Sequence, residues 1–127
     1  QITLEEFLPA LSIGLFSTGV LNLNNLRDRE NDQQSGKITM VVKLGVKKGK
    51  VYHALLIGAG LLAALVFTLI DYRQPLQFIY LITFPLFIRN VIVVFKNEDP
   101  SQLNPQLKIL ALTTLLFAIT FGIGLIL

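Results

Sequence analysis

Four apolar stretches, each about as long as a membrane-spanning helix, divide the chain and predict an all-α integral membrane protein. A helix that crosses the roughly 30 Å hydrocarbon core of a bilayer needs about 20 mostly apolar residues. The predicted spans cover residues 7–26, 51–70, 75–95 and 107–127. The first is the least apolar because it carries serine, threonine and three asparagines, and Pro85, Arg89 and Asn90 interrupt the third. We therefore expect four transmembrane helices connected by polar loops.

The composition agrees with a membrane protein. Hydrophobic residues make up 53% of the 127 positions and charged residues 15%, whereas about a quarter of the residues in a soluble domain are charged. The mean hydropathy is +0.64. Cysteine is absent and there is one histidine, which excludes a disulfide framework, a thiolate metal site and a metal centre built from several histidines.

The basic residues are concentrated in one loop. Seven of the eleven lysines and arginines lie between positions 27 and 50. Basic blocks also occur in nucleic-acid-binding proteins, but the apolar spans on both sides favour a loop at the anionic cytoplasmic face of a membrane. We therefore expect loops 27–50 and 96–106 to be cytoplasmic, both ends of the chain to lie outside, and no nucleic acid to bind.

A polar segment, NNLRDRENDQQSGK (24–37), directly follows the first apolar stretch. If the first helix continues through it, Asn24, Asp28 and Asp32 lie at i, i+4 and i+8 on one side, with Asn25 next to Asp28. Carboxylates one helical turn apart repel each other, and a divalent cation between them removes that cost. Carboxylate and amide oxygens suit Mg²⁺, which completes its shell with water and substrate phosphates. The pattern predicts a magnesium site; an ordinary helix end, whose acids pair with neighbouring arginines, is the alternative.

Basic residues next to these acids suit the oxygens of a phosphate. Lys37 follows Gly36, a flexible point at which the chain can bring a cation close to an anion. Lys43, Lys47 and Lys48 raise the positive charge around the same end of the span. Acids that hold a metal, beside bases that hold phosphate oxygens, predict a diphosphate site.

These residues resemble a motif of a known family. The stretch NNLRDRENDQQSGKITMVVKLG (24–45), in which N-N-L-R-D-x-x-x-D is followed by G-K-x-T and K-L-G, is similar to the second aspartate-rich motif of the UbiA superfamily of membrane-bound aromatic prenyltransferases. It resembles in particular the branch that acts on 1,4-dihydroxy-2-naphthoate in menaquinone synthesis. The resemblance extends through GKVYHALL and the spacing of the later spans, so it covers essentially the whole chain.

The resemblance implies a larger fold than four helices. Members of the superfamily have nine transmembrane helices around a cavity that opens sideways to lipid. Two aspartate-rich motifs on facing helices hold Mg²⁺ and the diphosphate of a polyprenyl donor. Because this chain has one such motif and four spans, we expect residues 1–127 to be the C-terminal part of one prenyltransferase domain, inactive without the N-terminal half of the same enzyme.

By the same resemblance, Asp28, Asp32 and Lys37 are expected to be catalytic. Asp28, Asp32 and Asn24 would bind Mg²⁺, and Arg27, Lys37 and Lys43 would contact the diphosphate. The implied reaction transfers a polyprenyl group from its diphosphate to 1,4-dihydroxy-2-naphthoate with loss of CO₂, giving demethylmenaquinone. The implied location is the inner (cytoplasmic) membrane, with polyprenyl diphosphate, the aromatic acceptor and the lipid bilayer as partners.

Two other functions are alternatives at this point. The first is a UbiA-type prenyltransferase with another acceptor, such as 4-hydroxybenzoate, haem or a chlorin. The second is a membrane module for cation transport or scaffolding, in which the acids line a conduction path. Transport predicts acids near the middle of a span, whereas Asp28 and Asp32 lie at the end of one, beside bases that suit phosphate.

Some residues within the spans have a structural interpretation. His53 lies near the start of the second span, where it predicts an anchor at the membrane interface rather than an acid–base group. The pairs Gly58 with Gly60 and Gly122 with Gly124 predict close-packed surfaces between helices.

The distribution of basic residues generates a prediction about topology. Because the chain contains no cysteine, single cysteines can be placed at Gln34, in the basic loop, and at Gln74, in the turn between the second and third spans. We expect a membrane-impermeant maleimide to label these two positions from opposite sides of the membrane. Labelling of both from the same side would contradict the four-span arrangement.

Overall fold

The computed structural model describes residues 1–127, and all of its regular structure is helical. The elements are α1 (Leu4–Arg27), α2 (Arg29–Gln34), α3 (Met40–Leu44), α4 (Val46–Ile70), a 3₁₀ segment (Pro75–Thr83), α5 (Phe84–Lys96), a 3₁₀ turn (Pro100–Gln102) and α6 (Asn104–Ile126). Helices α1, α4 and α6, and the 3₁₀ segment together with α5, are each long and apolar enough to cross a membrane. The prediction of an all-α protein with four such helices is confirmed.

The third span changes its helix type close to the proline that interrupts it in the sequence. Residues Pro75–Thr83 wind as a 3₁₀ helix, and α-helical geometry begins at Phe84. Pro85 therefore lies in the first turn of α5, where a missing N–H costs no helical hydrogen bond. At the other end of the 3₁₀ segment, the side-chain oxygen of Gln77 accepts from the backbone N–H of Gln74 at 3.0 Å.

An aromatic cluster forms the centre of the packed helices. Phe16 of α1 stacks on Phe87 of α5, with ring centroids 4.2 Å apart, and meets Phe117 of α6 edge-on at 5.0 Å. Tyr80 of the 3₁₀ segment packs against Phe117 and Phe121 of α6 with centroids 5.6 and 5.2 Å apart. Phe67 of α4 joins the cluster through Phe121, with centroids 5.4 Å apart. Each of the four membrane-spanning elements thus contributes a ring, and Gly60 of α4 leaves room for Phe16.

Apolar side chains also cover the outward faces of the helices. On α4, Leu55, Leu62 and Leu69 are spaced seven residues apart and remain 65%, 61% and 71% exposed. A soluble protein rarely exposes large contiguous apolar surface. In the hydrocarbon core of a bilayer the same surface is well solvated, because the helix satisfies its own backbone groups and presents apolar atoms to lipid.

The glycine pairs divide into two kinds. A Cβ at Gly60 would collide with an aromatic ring of α1, and a Cβ at Gly124 would lie 2.9 Å from the backbone Cα of Gln77. No atom lies within 4 Å of a Cβ placed at Gly58 or Gly122. The prediction of close packing is therefore confirmed for Gly60 and Gly124 and wrong for the other two.

The contact at Gly124 generates a prediction about stability. We expect Gly124→Ala to destabilise the protein by about 1–3 kcal/mol. The added methyl group would lie against backbone atoms, which cannot move aside by changing rotamer as a side chain can. Gly122→Ala, two residues earlier in the same helix, should leave the stability nearly unchanged. Thermal unfolding of both variants in detergent micelles measures the difference. Equal melting temperatures would show that α6 and the 3₁₀ segment are not held in close contact.

Candidate functional site

The first helix bends at its polar end but keeps its register. Helix α1 ends at Arg27, Asp28 is the residue between helices, and α2 begins at Arg29. The N–H of Asp28 donates to the carbonyl of Asn24 at 3.0 Å, and the N–H of Asp32 donates to the carbonyl of Asp28 at 2.8 Å. These i→i+4 bonds place residues 24, 28 and 32 on successive turns, as the sequence predicts.

Arg27 joins three side chains at this end of the helix. Its Nε and Nη2 donate to the two carboxylate oxygens of Asp28 at 2.9 and 3.1 Å. Nη2 also donates to Oδ1 of Asn24 at 2.6 Å. Nη1 donates to Oδ1 of Asn104, the first residue of α6, at 2.7 Å. Three predicted site residues, Asn24, Arg27 and Asp28, are therefore in direct contact.

The carboxylate of Asp28 lies in a positive field. The hydrogen bond from Arg27 holds the pKa of Asp28 below its ordinary value; partial desolvation opposes this effect, and the charges of Arg27 and Lys37 add to it. Lys37 itself is exposed, and its backbone N–H is bonded to Asp32, one helical turn from Asp28. Asp28 therefore remains ionised at neutral pH, as a ligand for a cation must be.

Asp32 has an oxygen available for a further partner. The residue is 7% exposed, and its Oδ2 is buried without a hydrogen-bond partner. A buried carboxylate oxygen in this state is unfavourable, so a cation or a donor at Oδ2 would stabilise it. The alternative interpretation of the sequence, in which the acids pair with neighbouring arginines, describes Asp28 but not Asp32.

The donor set fits Mg²⁺ under one condition. No cluster of three or more acidic or histidine side chains is close enough to hold a metal by itself. Mg²⁺, however, commonly takes one or two carboxylates and fills its shell with water and phosphate oxygens. Asp28 and Asp32, with Asn24 beside them, match that requirement provided that Arg27 releases the carboxylate of Asp28.

Gly36 adopts a fixed turn conformation, whereas the sequence predicts a flexible point at this position. Its φ is +81°, a left-handed conformation that suits glycine. The N–H of Gly36 donates to the carbonyl of Gln33 at 3.3 Å, and that of Lys37 donates to the carbonyl of Asp32 at 2.9 Å. These two bonds form a Schellman motif, which ends α2. The turn fixes the backbone of Lys37 next to Asp32.

The remaining predicted residue, Lys43, stands apart from this cluster. It is exposed on the short helix α3, and its side chain forms no hydrogen bond or ion pair. A pocket of about 160 Å³ opens beside the end of α1, and Arg27 is the one predicted site residue in its lining. The other lining residues are Leu26, Arg29, Glu30, Val46, Asp99, Pro100 and Ser101. The structure thus brings Asn24, Arg27 and Asp28 into contact and places Asp32, with Lys37 bonded to its backbone, one turn away. The side chain of Lys43 has no bond to any of them.

Two features near the site were missed from the sequence. One is Asn104, whose bond to Arg27 crosses 77 positions of the chain. The other is a buried network in which Nε2 of His53 bonds Oδ1 of Asn90 at 2.8 Å, and Nδ2 of Asn90 donates to the carbonyl and side-chain oxygens of Gln106 at 3.3 and 3.2 Å. His53 is fully buried, so the prediction of an interface anchor is wrong. The polar Asn90 within an apolar span was the one signal of this network in the sequence.

Comparison with known proteins identifies the family. The model of the UbiA prenyltransferase family matches residues 1–115. The chain belongs to the UbiA prenyltransferase family. The resemblance found in the aspartate-rich segment is thereby confirmed, and the four apolar helices are those of a multi-pass membrane protein.

Several curated relatives share one name. The chain is 38% identical over 119 residues to 1,4-dihydroxy-2-naphthoate octaprenyltransferase of Haemophilus influenzae, and 35% identical over 120 residues to the protein of that name from Escherichia coli. Each match covers 94% of this chain and 39% of the relative. A third, from Mycobacterium leprae, is 32% identical over 111 residues, which are 87% of this chain and 36% of the relative. The chain therefore spans about two fifths of the length of these relatives. No solved structure is a significant match.

Proposed function

We propose that this chain is the C-terminal part of an enzyme that transfers a polyprenyl group from a prenyl diphosphate to 1,4-dihydroxy-2-naphthoate. Family membership and the shared name of the relatives support this substrate pair. The observation that carries the proposal is the cluster at the end of α1, in which Asn24, Arg27 and Asp28 are in contact and Lys37 adds its charge. Acids and bases in one place suit a metal-bound diphosphate.

The residues of the cluster would have two roles, binding the metal and binding the diphosphate. Asp28 and Asp32, with Asn24, would hold Mg²⁺, which when bound supplies positive charge that stabilises the leaving diphosphate. Arg27 and Lys37 would bind diphosphate oxygens directly, with Lys43 as a further contact. Groups already in place to receive developing negative charge are the strongest contributors to catalysis of this kind.

The proposed chemistry breaks the allylic C–O bond of the donor and the bond between the ring and the carboxylate of the acceptor, whose electron pair returns to the ring, and it forms one new C–C bond. The diphosphate leaves with the electron pair of the allylic C–O bond, and an electron-rich ring carbon of the acceptor attacks the resulting allylic cation. The naphthoate then loses its carboxylate as CO₂, which leaves the quinol form of demethylmenaquinone. The step requires no nucleophile from the enzyme, and we place it at the cytoplasmic side of the inner membrane, where loop 27–50 would lie.

The two aspartates generate a prediction about the metal. In the full-length enzyme, Asp28→Asn and Asp32→Asn should each lower Mg²⁺-dependent turnover by about a hundredfold or more, since each removes a charge from the proposed metal site. Glu30→Gln removes a charge from the same helical segment without touching the site and is the matched control. Activity and Mn²⁺ binding, the latter followed by electron paramagnetic resonance, are measured on the same membrane-inserted proteins. Near-normal metal binding in both aspartate variants would show that Asp28 and Asp32 do not hold the metal and are only part of a charged helix end.

Lys37 generates a prediction about the donor substrate. A charge-assisted hydrogen bond contributes about 1.5–3 kcal/mol, so Lys37→Ala should lower kcat/KM for the prenyl diphosphate by about ten- to a hundredfold. The KM of the aromatic acceptor should change much less, because that ligand does not need this cation. Steady-state kinetics with each substrate varied in turn measures both effects.

Lys48→Ala is the control for this variant, because it removes an exposed positive charge from the same loop without affecting the cluster. A similar loss of kcat/KM in Lys48→Ala would attribute the effect to the general positive field. A loss that falls on the acceptor would assign Lys37 to the other half of the site.

A further inference from the structure

We propose that Asn104 is a positioning residue for Arg27, which it orients toward the diphosphate of the donor. The inference rests on the proposed function, because it takes the ligand of Arg27 to be a diphosphate. Its starting point is the 2.7 Å hydrogen bond from Nη1 of Arg27 to Oδ1 of Asn104. This bond joins the end of α1 to the start of α6.

While Arg27 pairs with Asp28, its bonds leave one N–H group for a ligand. A guanidinium group has five N–H donors. Nε donates to Asp28, Nη2 donates to Asp28 and to Asn24, and Nη1 donates to Asn104. The remaining N–H is therefore the second one on Nη1, the nitrogen that Asn104 holds. Because the guanidinium is planar and rigid, the bond to Asn104 fixes the direction of this free donor together with the bonds to Asp28 and Asn24.

Asn104 itself occupies a fixed place in the fold. Leu103, immediately before it, is 1% exposed, and Gln106, two residues later, receives both bonds from Nδ2 of Asn90. Asn90 is bonded in turn to the fully buried His53. The first turn of α6 is thus tied to α5 and α4 through the buried side chains of Asn90 and His53, so the backbone that carries Asn104 is anchored to the body of the protein.

This arrangement lowers the entropy that binding must remove. A free arginine side chain has many rotamers and loses that freedom when a ligand orders it. The bonds of Arg27 to Asn24 of α1 and Asn104 of α6 do not involve the carboxylate of Asp28. They can persist when Asp28 turns to a metal, so a diphosphate meets an arginine that is still held in place. Preorganised groups contribute to affinity because the cost of ordering them has been met during folding.

The test removes the acceptor atom of Asn104 in the full-length protein. In Asn104→Leu the new side chain has nearly the same size and no acceptor atom. Asn104→Ala is the second variant, used if the leucine variant does not insert into the membrane. Because Asn104 is exposed, neither substitution creates a buried cavity. Inorganic diphosphate with Mg²⁺ is the probe, and isothermal titration calorimetry in detergent gives its Kd. We expect the Kd to rise about three- to tenfold in Asn104→Leu. Gln102→Leu, the same kind of change at an exposed residue whose side chain forms no hydrogen bond, is the control and should bind as the parent does.

A double-mutant cycle separates positioning from a merely structural link. If Asn104 acts through Arg27, then Asn104→Leu should have no further effect on Kd in an Arg27→Ala background. In kinetics, Asn104→Leu should raise KM for the prenyl diphosphate and leave KM for the aromatic acceptor unchanged. An equal loss of affinity in both backgrounds, an unchanged Kd, or a rise in the acceptor KM would each overturn the inference.

The outcomes distinguish this inference from the proposed function. If the parent protein binds diphosphate with the expected dependence on Asn104 but transfers no prenyl group, the positioning role stands and the proposed reaction is wrong. If the parent protein is an active prenyltransferase and Asn104→Leu is normal, the reaction stands and the positioning role is wrong. A parent protein that does not bind diphosphate with Mg²⁺ contradicts both.

Discussion

The absence of water from the hydrocarbon core is the constraint on which the structure depends. Each polar side chain there has to find a partner inside the protein, because an unpaired one is costly in that environment. Ser12 of α1 donates to the carbonyl of Gly60 of α4 at 2.8 Å, and Asn22 of α1 donates to the carbonyl of Gly49 of α4 at 3.1 Å. In both cases the acceptor is a glycine carbonyl, which a side chain from a neighbouring helix can approach closely. Polar residues that look out of place in the first span therefore hold the first two spans together.

The same constraint explains why the site lies at the end of the spans rather than in the middle. Charged groups need water or one another, and the end of α1 offers both. Arg27 pairs with Asp28 where both side chains are still partly exposed, at 28% and 34%. An ion pair in such a place is strong enough to organise the site and weak enough to exchange. Exchange is what the proposed metal requires, because Asp28 cannot serve Arg27 and Mg²⁺ with the same oxygens.

The sequence alone was sufficient for the class of protein and for the segment in which the candidate site lies. Apolar stretches of about 20 residues predict spans because the length of a helix and the thickness of a bilayer are both set by general physics. The spacing of Asn24, Asp28 and Asp32 predicts one side of a helix because the helical period is local. The family resemblance was readable for the same reason, since its motif lies within 22 consecutive positions, 24–45.

Only the tertiary structure decided which residues complete the site and which glycines touch a neighbour. Asn104 lies 77 positions from Arg27, and no local pattern indicates that the start of α6 meets the end of α1. Gly122 and Gly124 look equivalent in sequence, yet one faces open space and the other faces the backbone of Gln77. The rotation of each helix about its axis sets these contacts, and that rotation depends on the packing of all four spans together. Local sequence therefore determined the elements and their chemistry, and packing determined the partners.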